Sequence, residues 1–298
     1  LDFFHEVYQN RRGPFLGRKI LVYNDIERRL EIESGVVPPE RVETTGMPRL
    51  DVKHRARRNG EREGEDRPRV LFFSFGKKTG LPMLVRKART GVVQGYEPLS
   101  GRKESLSWAR MAQACHAAVI RLARENPDVE VVVKSKMTKR DQSAMYEALG
   151  DPKRLPGNLK VVAGGDPSEL ILRSRVICGF NTTALFEAIA AGRPVVVPWF
   201  EEALDERQRP YIVYLEEAVA YARSEDELIR LLLERARNPG ARQVTLDGDK
   251  RRVLDHWLGN PDGRAGERVR NAVLDIVSKG RGSIADRRDA GRACAEGR

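Results

Sequence analysis

The sequence predicts an α/β fold built on a doubly wound parallel sheet. Runs rich in Val, Ile, Leu and Phe are separated by helical patterns, and they lack the alternation typical of strands with one face in water. Strands of this kind are buried on both faces, so helices must cover both sides of the sheet. With 298 residues and 40% apolar content, the chain can build such a core. We therefore expect a Rossmann-like domain.

Strand and helix candidates alternate along most of the chain. The predicted strands are 19–23, 69–75, 129–134, 159–162, 175–178 and 194–197. The predicted helices are 25–34, 108–125, 142–149, 167–173, 182–191, 224–237 and 266–279, while 214–221 has a helical or mixed pattern. The alternation is typical of βαβ units, which place parallel strands side by side.

Polarity divides the chain into four parts. Residues 53–69 contain almost no apolar side chains, so we expect a polar linker that cannot recover the entropy lost on ordering. Residues 1–52 hold only enough strand and helix for the last α/β unit of a preceding domain. Residues 70–279 form the predicted sheet domain with a final helix, and residues 280–298 are expected to be a disordered tail.

The net charge favours anionic partners without selecting one. Lys and Arg number 54 against 43 Asp and Glu, which gives a formal charge of +11. Segments 53–69 and 279–298 each carry a surplus of three positive charges, so about half of the total lies outside the predicted folded parts. We therefore expect no nucleic acid as the main ligand, and a basic nucleic-acid-binding module stays as the non-enzymatic alternative.

Cysteine usage and the chain ends narrow the class of protein. Cys115, Cys178 and Cys294 are scattered without metal-ligand spacing, so we predict neither disulfides nor a zinc site and expect a reducing, cytoplasmic location. No apolar run in the sequence approaches the roughly 20 residues that span a bilayer. The first residue is Leu1 rather than Met, so we expect a piece of a longer protein.

The segment 176–198 (VICGFNTTALFEAIAAGRPVVVP) is the most informative stretch. A short strand ends at Cys178, and a helix begins near Asn181. The backbone N–H groups and the positive dipole end of that helix then face the carboxyl edge of the sheet, where open α/β sheets bind ligands. A diphosphate is the ligand that suits this position.

Three side chains in this helix could divide the recognition of a nucleotide. Thr182 and Thr183 could donate hydroxyl hydrogen bonds to a diphosphate, and Glu187, one turn further, could accept from a ribose diol. The alternative is a helix cap at Asn181 or Thr182 followed by a glutamate on the surface.

Two more loops are expected at the same edge of the sheet. Lys134 and Lys136 lie at the end of a predicted strand and are separated by one residue. In an extended chain both would face one side, where they could meet phosphate or a sugar carboxylate. Solvated lysines are the alternative. Ser74 and Gly76 end another strand and open the loop 77–80, where a backbone could approach donor or acceptor. This loop lacks the first glycine and the final hydroxyl residue of a Walker A motif.

Other candidates have a simpler interpretation. Trp199 could flank a base or a sugar, or pack on the domain. Asp247 and Asp249 favour an exposed turn over a metal site, so we predict no metal. His116 falls inside the helix 108–125, which favours a partly buried helix residue over a catalytic base.

Three of these segments together resemble a known group of proteins. The segment 176–198, the motif GMPRLD at 46–51 and the run VVVKSK at 131–136 resemble the GT-B glycosyltransferases of bacterial surface and capsular polysaccharide synthesis. Relatives of these enzymes include the CDP-glycerol glycerophosphotransferases and the UDP-N-acetylglucosamine 2-epimerases. The similarity extends over roughly residues 40–278.

The resemblance implies a GT-B-like fold, with the C-terminal domain and the last piece of the N-terminal domain present. It also implies transfer of a sugar or polyol phosphate from a nucleotide-activated donor to a glycan or lipid-linked acceptor, peripheral contact with the inner face of a membrane, and no cofactor. The predicted diphosphate site is Ser74, Gly76, Lys134, Asn181, Thr182 and Thr183, with Glu187 at the ribose and Lys136 and Trp199 at the base or sugar. We assign no catalytic residue, because the base of such enzymes usually comes from the N-terminal domain.

Two departures limit what the resemblance implies. The epimerases usually have Ser-Gly-Gly where this chain has Asn-Thr-Thr at 181–183, which disfavours an epimerase. The glycerophosphotransferases have a Lys-x-His-Pro turn where this chain has Lys-Ser-Lys-Met at 134–137, so their histidine chemistry is not transferred. A UDP-sugar 2-epimerase stays as the enzymatic alternative.

Overall fold

The computed structural model describes residues 15–33, 35, 37–60, 67–81, 84–85, 96–97, 106–136, 139–238 and 243–278. The chain divides into two compact units, one of residues 1–52 and 254–298 and one of residues 53–253. The predicted tail at 280–298 and the central part of the predicted linker, 61–66, lie outside the described residues.

The smaller unit contains a two-stranded parallel sheet. Strands β1 (Ile20–Val22) and β2 (Val42–Thr44) pair side by side, and helix α1 (Asp25–Glu33) lies between them in sequence. Val22, Val37 and Val42 form a small apolar core. This β-α-β arrangement agrees with the α/β unit expected before residue 53.

The C-terminal helix, at 265–278, belongs to the smaller unit and not to the sheet domain in which we predicted it. Asp51 accepts hydrogen bonds from the backbone N–H groups of Ala265 and Gly266, at 3.2 and 2.8 Å, and so caps this helix. Gly46 has a φ of 82°, and a Cβ there would lie 2.3 Å from the carbonyl oxygen of Gly259. The 46–51 motif therefore shapes this unit.

The larger unit contains a six-stranded parallel sheet. Its strands are β3 (Arg69–Phe73), β6 (Glu130–Ser135), β7 (Leu159–Ala163), β8 (Val176–Cys178), β9 (Val195–Pro198) and β10 (Ala220–Ala222). Between β3 and β6 in sequence, β4 (Leu84–Val85) and β5 (Tyr96–Glu97) form a separate antiparallel pair. Five of the six strands match predicted ones. The segment 214–221, predicted as helical or mixed, contains a 3-10 turn at Glu216–Ala218 and the start of β10.

The spatial order of the six strands is β7-β6-β3-β8-β9-β10. From β3 the chain builds the sheet outward through β6 and β7, then returns to the other side of β3 and continues through β8, β9 and β10. This is the strand order of a doubly wound dinucleotide-binding sheet, so the predicted fold class is confirmed. Its central strands are buried, with Leu71, Phe72 and Ile177 each 0% exposed.

Helices cover this sheet as the apolar strands require. They are α3 (Ala109–Glu125), α4 (Lys139–Leu149), α5 (Ser168–Arg173), α6 (Ala184–Ala190) and α7 (Glu225–Arg237). Two more helices, α2 (Asp51–Arg58) and α8 (Gly248–Leu258), lie at the two ends of this unit in sequence. No helix among the described residues has both the length and the hydropathy needed to cross a membrane.

Helix α2 overturns the first part of the predicted linker at 53–69. Its sequence is basic, yet Lys53, His54 and Arg57 are buried. The Arg57 guanidinium donates to the carbonyl oxygen of Ala190 at 3.2 Å, and burial lowers the pKa of Arg57 to about 10. The prediction failed because composition does not show which charged side chains find partners far away in sequence.

Candidate functional site

The order in which the chain adds strands reverses between β3 and β8, which are parallel, hydrogen-bonded neighbours in the centre of the sheet. Connections leave their carboxyl ends toward opposite sides, which opens a crevice where doubly wound sheets bind ligands. Residues 74–80 follow β3 and residues 179–183 follow β8. The structure therefore brings two of the predicted loops together at this edge of the sheet, where the rings of Phe75 and Phe180, one from each loop, lie 5.3 Å apart.

The turn after β8 packs closely against β3. A Cβ on Gly179 would lie 3.2 Å from the Cβ of Phe73 and 3.3 Å from a methyl group of Thr182. A larger residue there would require the neighbouring strand or the following turn to shift by a few tenths of an ångström. Gly179 thus holds the start of α6 next to the carboxyl end of β3.

Asn181 fastens this turn to another loop. Its backbone φ is 45°, in the left-handed region that Asn adopts more readily than most residues. Its side-chain amide donates to the carbonyl oxygen of Tyr211 at 2.8 Å, and its oxygen accepts from the N–H of Val213 at 2.9 Å. The Asn181 side chain is therefore committed to the protein, so the predicted diphosphate contact at this position rests on its backbone N–H and stays a prediction.

The first turn of α6 also uses its own amides. The N–H of Leu185 donates to Thr182 and that of Phe186 to the carbonyl oxygen of Thr183, while the N–H of Ala184 lies 3.4 Å from the Thr182 hydroxyl oxygen. The N–H groups of Leu185 and Phe186 are thus used inside the turn. Thr183 is exposed and Thr182 is partly exposed, so a contact between their hydroxyl groups and an anion stays a prediction.

The loop after β3 closes on itself. The N–H of Gly76 donates to the hydroxyl oxygen of Thr79 at 3.1 Å, and the N–H of Thr79 donates back to the carbonyl oxygen of Gly76 at 3.1 Å. The amide of Gly76 is therefore not available to a diphosphate, contrary to our prediction. The remaining backbone of the loop is anchored by Lys77, whose carbonyl oxygen accepts from the N–H of Trp108 at 2.9 Å.

Ser74, directly after β3, is paired with a buried histidine. Its hydroxyl oxygen lies 2.9 Å from Nε2 of His116, and Nδ1 of His116 lies 2.6 Å from the carbonyl oxygen of Ala112. A carbonyl oxygen can only accept, so Nδ1 carries the proton and Nε2 of the neutral ring accepts from Ser74. The single hydroxyl proton of Ser74 is thus used, which contradicts Ser74 as a hydrogen-bond donor to a diphosphate.

The two predicted lysines differ in environment. Lys134 is 7% exposed, its ammonium donates to the carbonyl oxygen of Ser135 at 2.9 Å, and burial lowers its pKa. Within the described part of the chain no carboxylate forms an ion pair with it. Lys136 is exposed. Burial thus distinguishes the two lysines and makes Lys134 the better candidate for an anion, while the expectation that both face one side stays a prediction.

Glu187 points into the protein and not toward a ligand. It is 3% exposed, and its carboxylate lies 3.6 Å from the ammonium of Lys53, which is 1% exposed. The pair joins α6 to α2 inside the larger unit. This burial contradicts the predicted ribose contact. Sequence reasoning missed the pair because its members are far apart and Lys53 lies in the segment we expected to be a linker.

Trp199 follows β9 and belongs to an aromatic cluster. Its ring meets those of Tyr214 and Tyr221 edge to face at 5.7 and 5.1 Å, and the guanidinium of Arg223 lies 5.7 Å from its centre. Packing on the domain thus accounts for much of the Trp199 surface. Its contact with a base or sugar stays a prediction.

The acidic loop 201–206 has a structural role. The Glu202 carboxylate accepts from the N–H groups of Arg110 and Met111, at 2.9 and 2.8 Å. These are free amides in the first turn of α3, so Glu202 caps that helix. Asp247 likewise binds its own neighbour Lys250. Among the described residues no group of three or more metal-binding side chains comes together.

Comparison with known proteins supports the fold. No protein-family model and no curated protein matches the sequence. The wall teichoic acid polymerase TagF is 12% identical over 88% of this chain and 59% of its own, with a TM-score of 0.50. UDP-GlcNAc 2-epimerases from Neisseria meningitidis and Methanocaldococcus jannaschii are each 12% identical over 87% of this chain, with TM-scores of 0.46.

The chain spans about three fifths of the length of these structures, since it covers 62% of the Neisseria enzyme and 61% of the Methanocaldococcus enzyme. At this identity the likeness concerns the fold alone. The chain has the Rossmann-like α/β fold of GT-B proteins such as TagF.

Proposed function

We propose that this chain provides the donor site of a transferase that moves a sugar or a polyol phosphate from a nucleotide-activated donor to a glycan or lipid-linked acceptor. The observation that carries the proposal is the reversal of strand order between β3 and β8, because ligands of open α/β sheets bind at such a point. The fold shared with TagF, which is named as a polymerase of wall teichoic acid, supports the transferase class.

Lys134 and the two threonines are the proposed diphosphate contacts. Lys134 is the last but one residue of β6, and its carbonyl oxygen accepts from the N–H of Ser74, so its backbone adjoins the loop after β3. A buried ammonium whose described partner is a single neutral carbonyl oxygen is only partly compensated for the loss of water, which favours an anion beside it. Thr182 and Thr183 add hydroxyl donors from the loop after β8.

The proposed chemistry is electrostatic. As the bond between the sugar or polyol group and the diphosphate breaks, negative charge grows on the departing nucleotide. The Lys134 ammonium and the threonine hydroxyls would stabilise this charge more strongly than the charge of the intact donor, which lowers the barrier. We propose that the group activating the acceptor lies in the remaining part of the protein.

A binding panel tests the site. UDP, CDP, GDP, dTDP and CMP are added to the chain in a thermal unfolding assay, where a ligand at 100 times its Kd stabilises by about 2.7 kcal/mol. For a unit of about 200 residues this raises Tm by roughly 5–10 °C. At least one nucleoside diphosphate should produce such a shift.

Lys134 and Lys136 provide a matched pair of variants. Lys134→Met should weaken the binding of a nucleoside diphosphate about 10- to 100-fold, because a charge-assisted hydrogen bond is lost. Lys136→Met removes an exposed ammonium nearby and should change the Kd less than about 3-fold. Equal losses from both variants would indicate a general effect of charge and contradict the assignment of Lys134.

An activity assay separates the enzyme classes. The chain is incubated with UDP-GlcNAc or CDP-glycerol without an acceptor. Release of free sugar and nucleotide would identify the UDP-sugar 2-epimerase alternative, whereas a transferase should retain the donor until an acceptor is added. If none of the nucleotides binds and salt-sensitive binding to DNA is found instead, the basic-module alternative replaces the proposal.

A further inference from the structure

The Ser74–His116 pair fixes what Ser74 can offer to a ligand. A serine hydroxyl has one proton and two lone pairs, and the proton of Ser74 is given to Nε2 of His116. Ser74 is partly exposed at the carboxyl end of β3, beside the crevice. It therefore presents acceptor lone pairs there, and an anionic phosphate oxygen, which can only accept, is an unsuitable partner.

His116 is held so that this arrangement persists. The residue is 1% exposed, and its ring meets that of Phe72 edge to face at 5.0 Å and lies 6.3 Å from that of Phe75. Burial lowers the pKa of His116, so the ring is neutral at neutral pH. The carbonyl oxygen of Ala112 fixes the tautomer, and the ring cannot turn into the role of a donor toward Ser74.

The pair is poorly suited to nucleophilic catalysis. If Ser74 attacked a substrate, its proton would pass to His116 and create an imidazolium ion among aromatic rings. In serine hydrolases a carboxylate stabilises that ion. Here the described partner of Nδ1 is the neutral carbonyl of Ala112. The geometry thus favours an oriented acceptor over an activated nucleophile.

We infer that Ser74 accepts a hydrogen bond from a hydroxyl group on the sugar or polyol part of the donor and so contributes to the choice of the transferred group. The inference rests on the proposed function, since it needs a diphosphate held by the neighbouring loop and Lys134. The sugar or polyol is attached directly to that diphosphate, and it is rich in hydroxyl donors. Ser74 lies one residue beyond β3 on the same edge of the sheet.

The test compares ligands with and without the transferred group. The Kd values of UDP, UDP-glucose, UDP-GlcNAc, CDP and CDP-glycerol are measured by calorimetry for the parent chain and for Ser74→Ala. Loss of one neutral hydrogen bond should weaken at least one sugar- or glycerol-bearing ligand about 3- to 10-fold. The Kd of UDP or CDP should change less than 2-fold, which also shows that the fold is intact.

Two further variants make the comparison specific. Thr183→Val removes a hydroxyl group that we place at the diphosphate, so it should weaken the free diphosphate and its derivative by the same factor. Ser74→Thr retains the hydroxyl oxygen and should restore most of the affinity lost in Ser74→Ala. A merely structural role for Ser74 would instead lower the affinity for every ligand together.

The outcomes separate this inference from the function on which it rests. If the parent binds UDP or CDP, and Ser74→Ala weakens these diphosphates as much as their derivatives, Ser74 contacts phosphate, ribose or base and the inference is overturned. The same holds if the parent binds a diphosphate but none of its derivatives, or if Ser74→Ala changes no Kd. If the parent binds no nucleoside diphosphate at all, the proposed function itself fails, and the inference with it.

Discussion

The buried pair of Lys53 and Glu187 should contribute strongly to the stability of the larger unit. The change is Lys53→Met, which keeps the length of the side chain and removes its ammonium from a carboxylate 3.6 Å away. The two side chains are 1% and 4% exposed, so water cannot replace the lost charge. Removal of one member of a buried pair costs about 3–5 kcal/mol, and the separation of the charges favours the lower end of this range.

The assay is a double-mutant cycle in urea. Lys53→Met should lower the free energy of unfolding by about 3 kcal/mol, and Glu187→Leu should have an effect of similar size. The double variant should recover much of the loss, because two apolar side chains can replace a buried ion pair at little cost. If Lys53→Met costs less than about 1 kcal/mol, or if the two single losses simply add, the two residues are not coupled and our account of α2 is wrong.

The same variants separate a structural role of Glu187 from a role in binding. Glu187→Gln keeps the shape of the side chain but removes its charge. We expect it to destabilise the protein while the Kd of UDP or CDP stays within about 2-fold of the parent value. A large loss of affinity in a variant that remains folded would restore the ribose contact predicted from the sequence.

Other consequences of the packing can be tested separately. Burial lowers the pKa of His116 below 6.5, so the unfolded chain binds a proton more readily than the folded protein. The free energy of unfolding should therefore be highest above pH 6.5 and fall by up to about 1.4 kcal/mol per pH unit below it. His116→Phe should remove this slope in urea titrations. Glu202→Ala removes the cap of α3 and should cost about 1 kcal/mol, or roughly 2–4 °C in Tm, whereas Glu206→Ala nearby on the surface should not. Gly259→Ala places a Cβ 1.9 Å from the carbonyl oxygen of Tyr23, so it should unfold the smaller unit at a lower temperature than the parent; an unchanged Tm would contradict the described path of the chain.

The sheet could be predicted because its strands carry their burial in their own sequence. The strands β3 (RVLFF) and β6 (EVVVKS) contain the uninterrupted apolar runs VLFF and VVV, which are typical of a strand buried on both faces. Strand β10 has only three residues, Ala-Tyr-Ala, and gives no such signal. Its position follows from pairing with β9, which is a tertiary effect.

The site could be predicted only to the level of its loops. Their position at the carboxyl edge followed from the strands, but the use of each polar atom did not. Asn181 forms hydrogen bonds with residues about 30 positions further along the sequence, and Ser74 forms one with a histidine 42 positions further along. Such pairs depend on which elements become neighbours in space, so a sequence read locally assigns these atoms to a ligand when the protein itself uses them.

These assignments leave Lys134 as the main source of positive charge in the proposed site, and this has a consequence for pH. Burial lowers the pKa of Lys134 from its ordinary value of 10.5. A bound diphosphate would raise this pKa again, because the anion favours the ammonium form. The affinity for a nucleoside diphosphate should therefore be constant while Lys134 of the ligand-free protein is protonated. Above the lowered pKa of Lys134 it should fall by up to tenfold per pH unit. Titration of CDP binding between pH 7 and 10 measures this fall, and Lys134→Met provides the control, because the ligand's own ionisation is the same in both proteins. If parent and Lys134→Met show the same pH profile, the Lys134 ammonium does not meet the diphosphate, and the anion is held by the threonines alone.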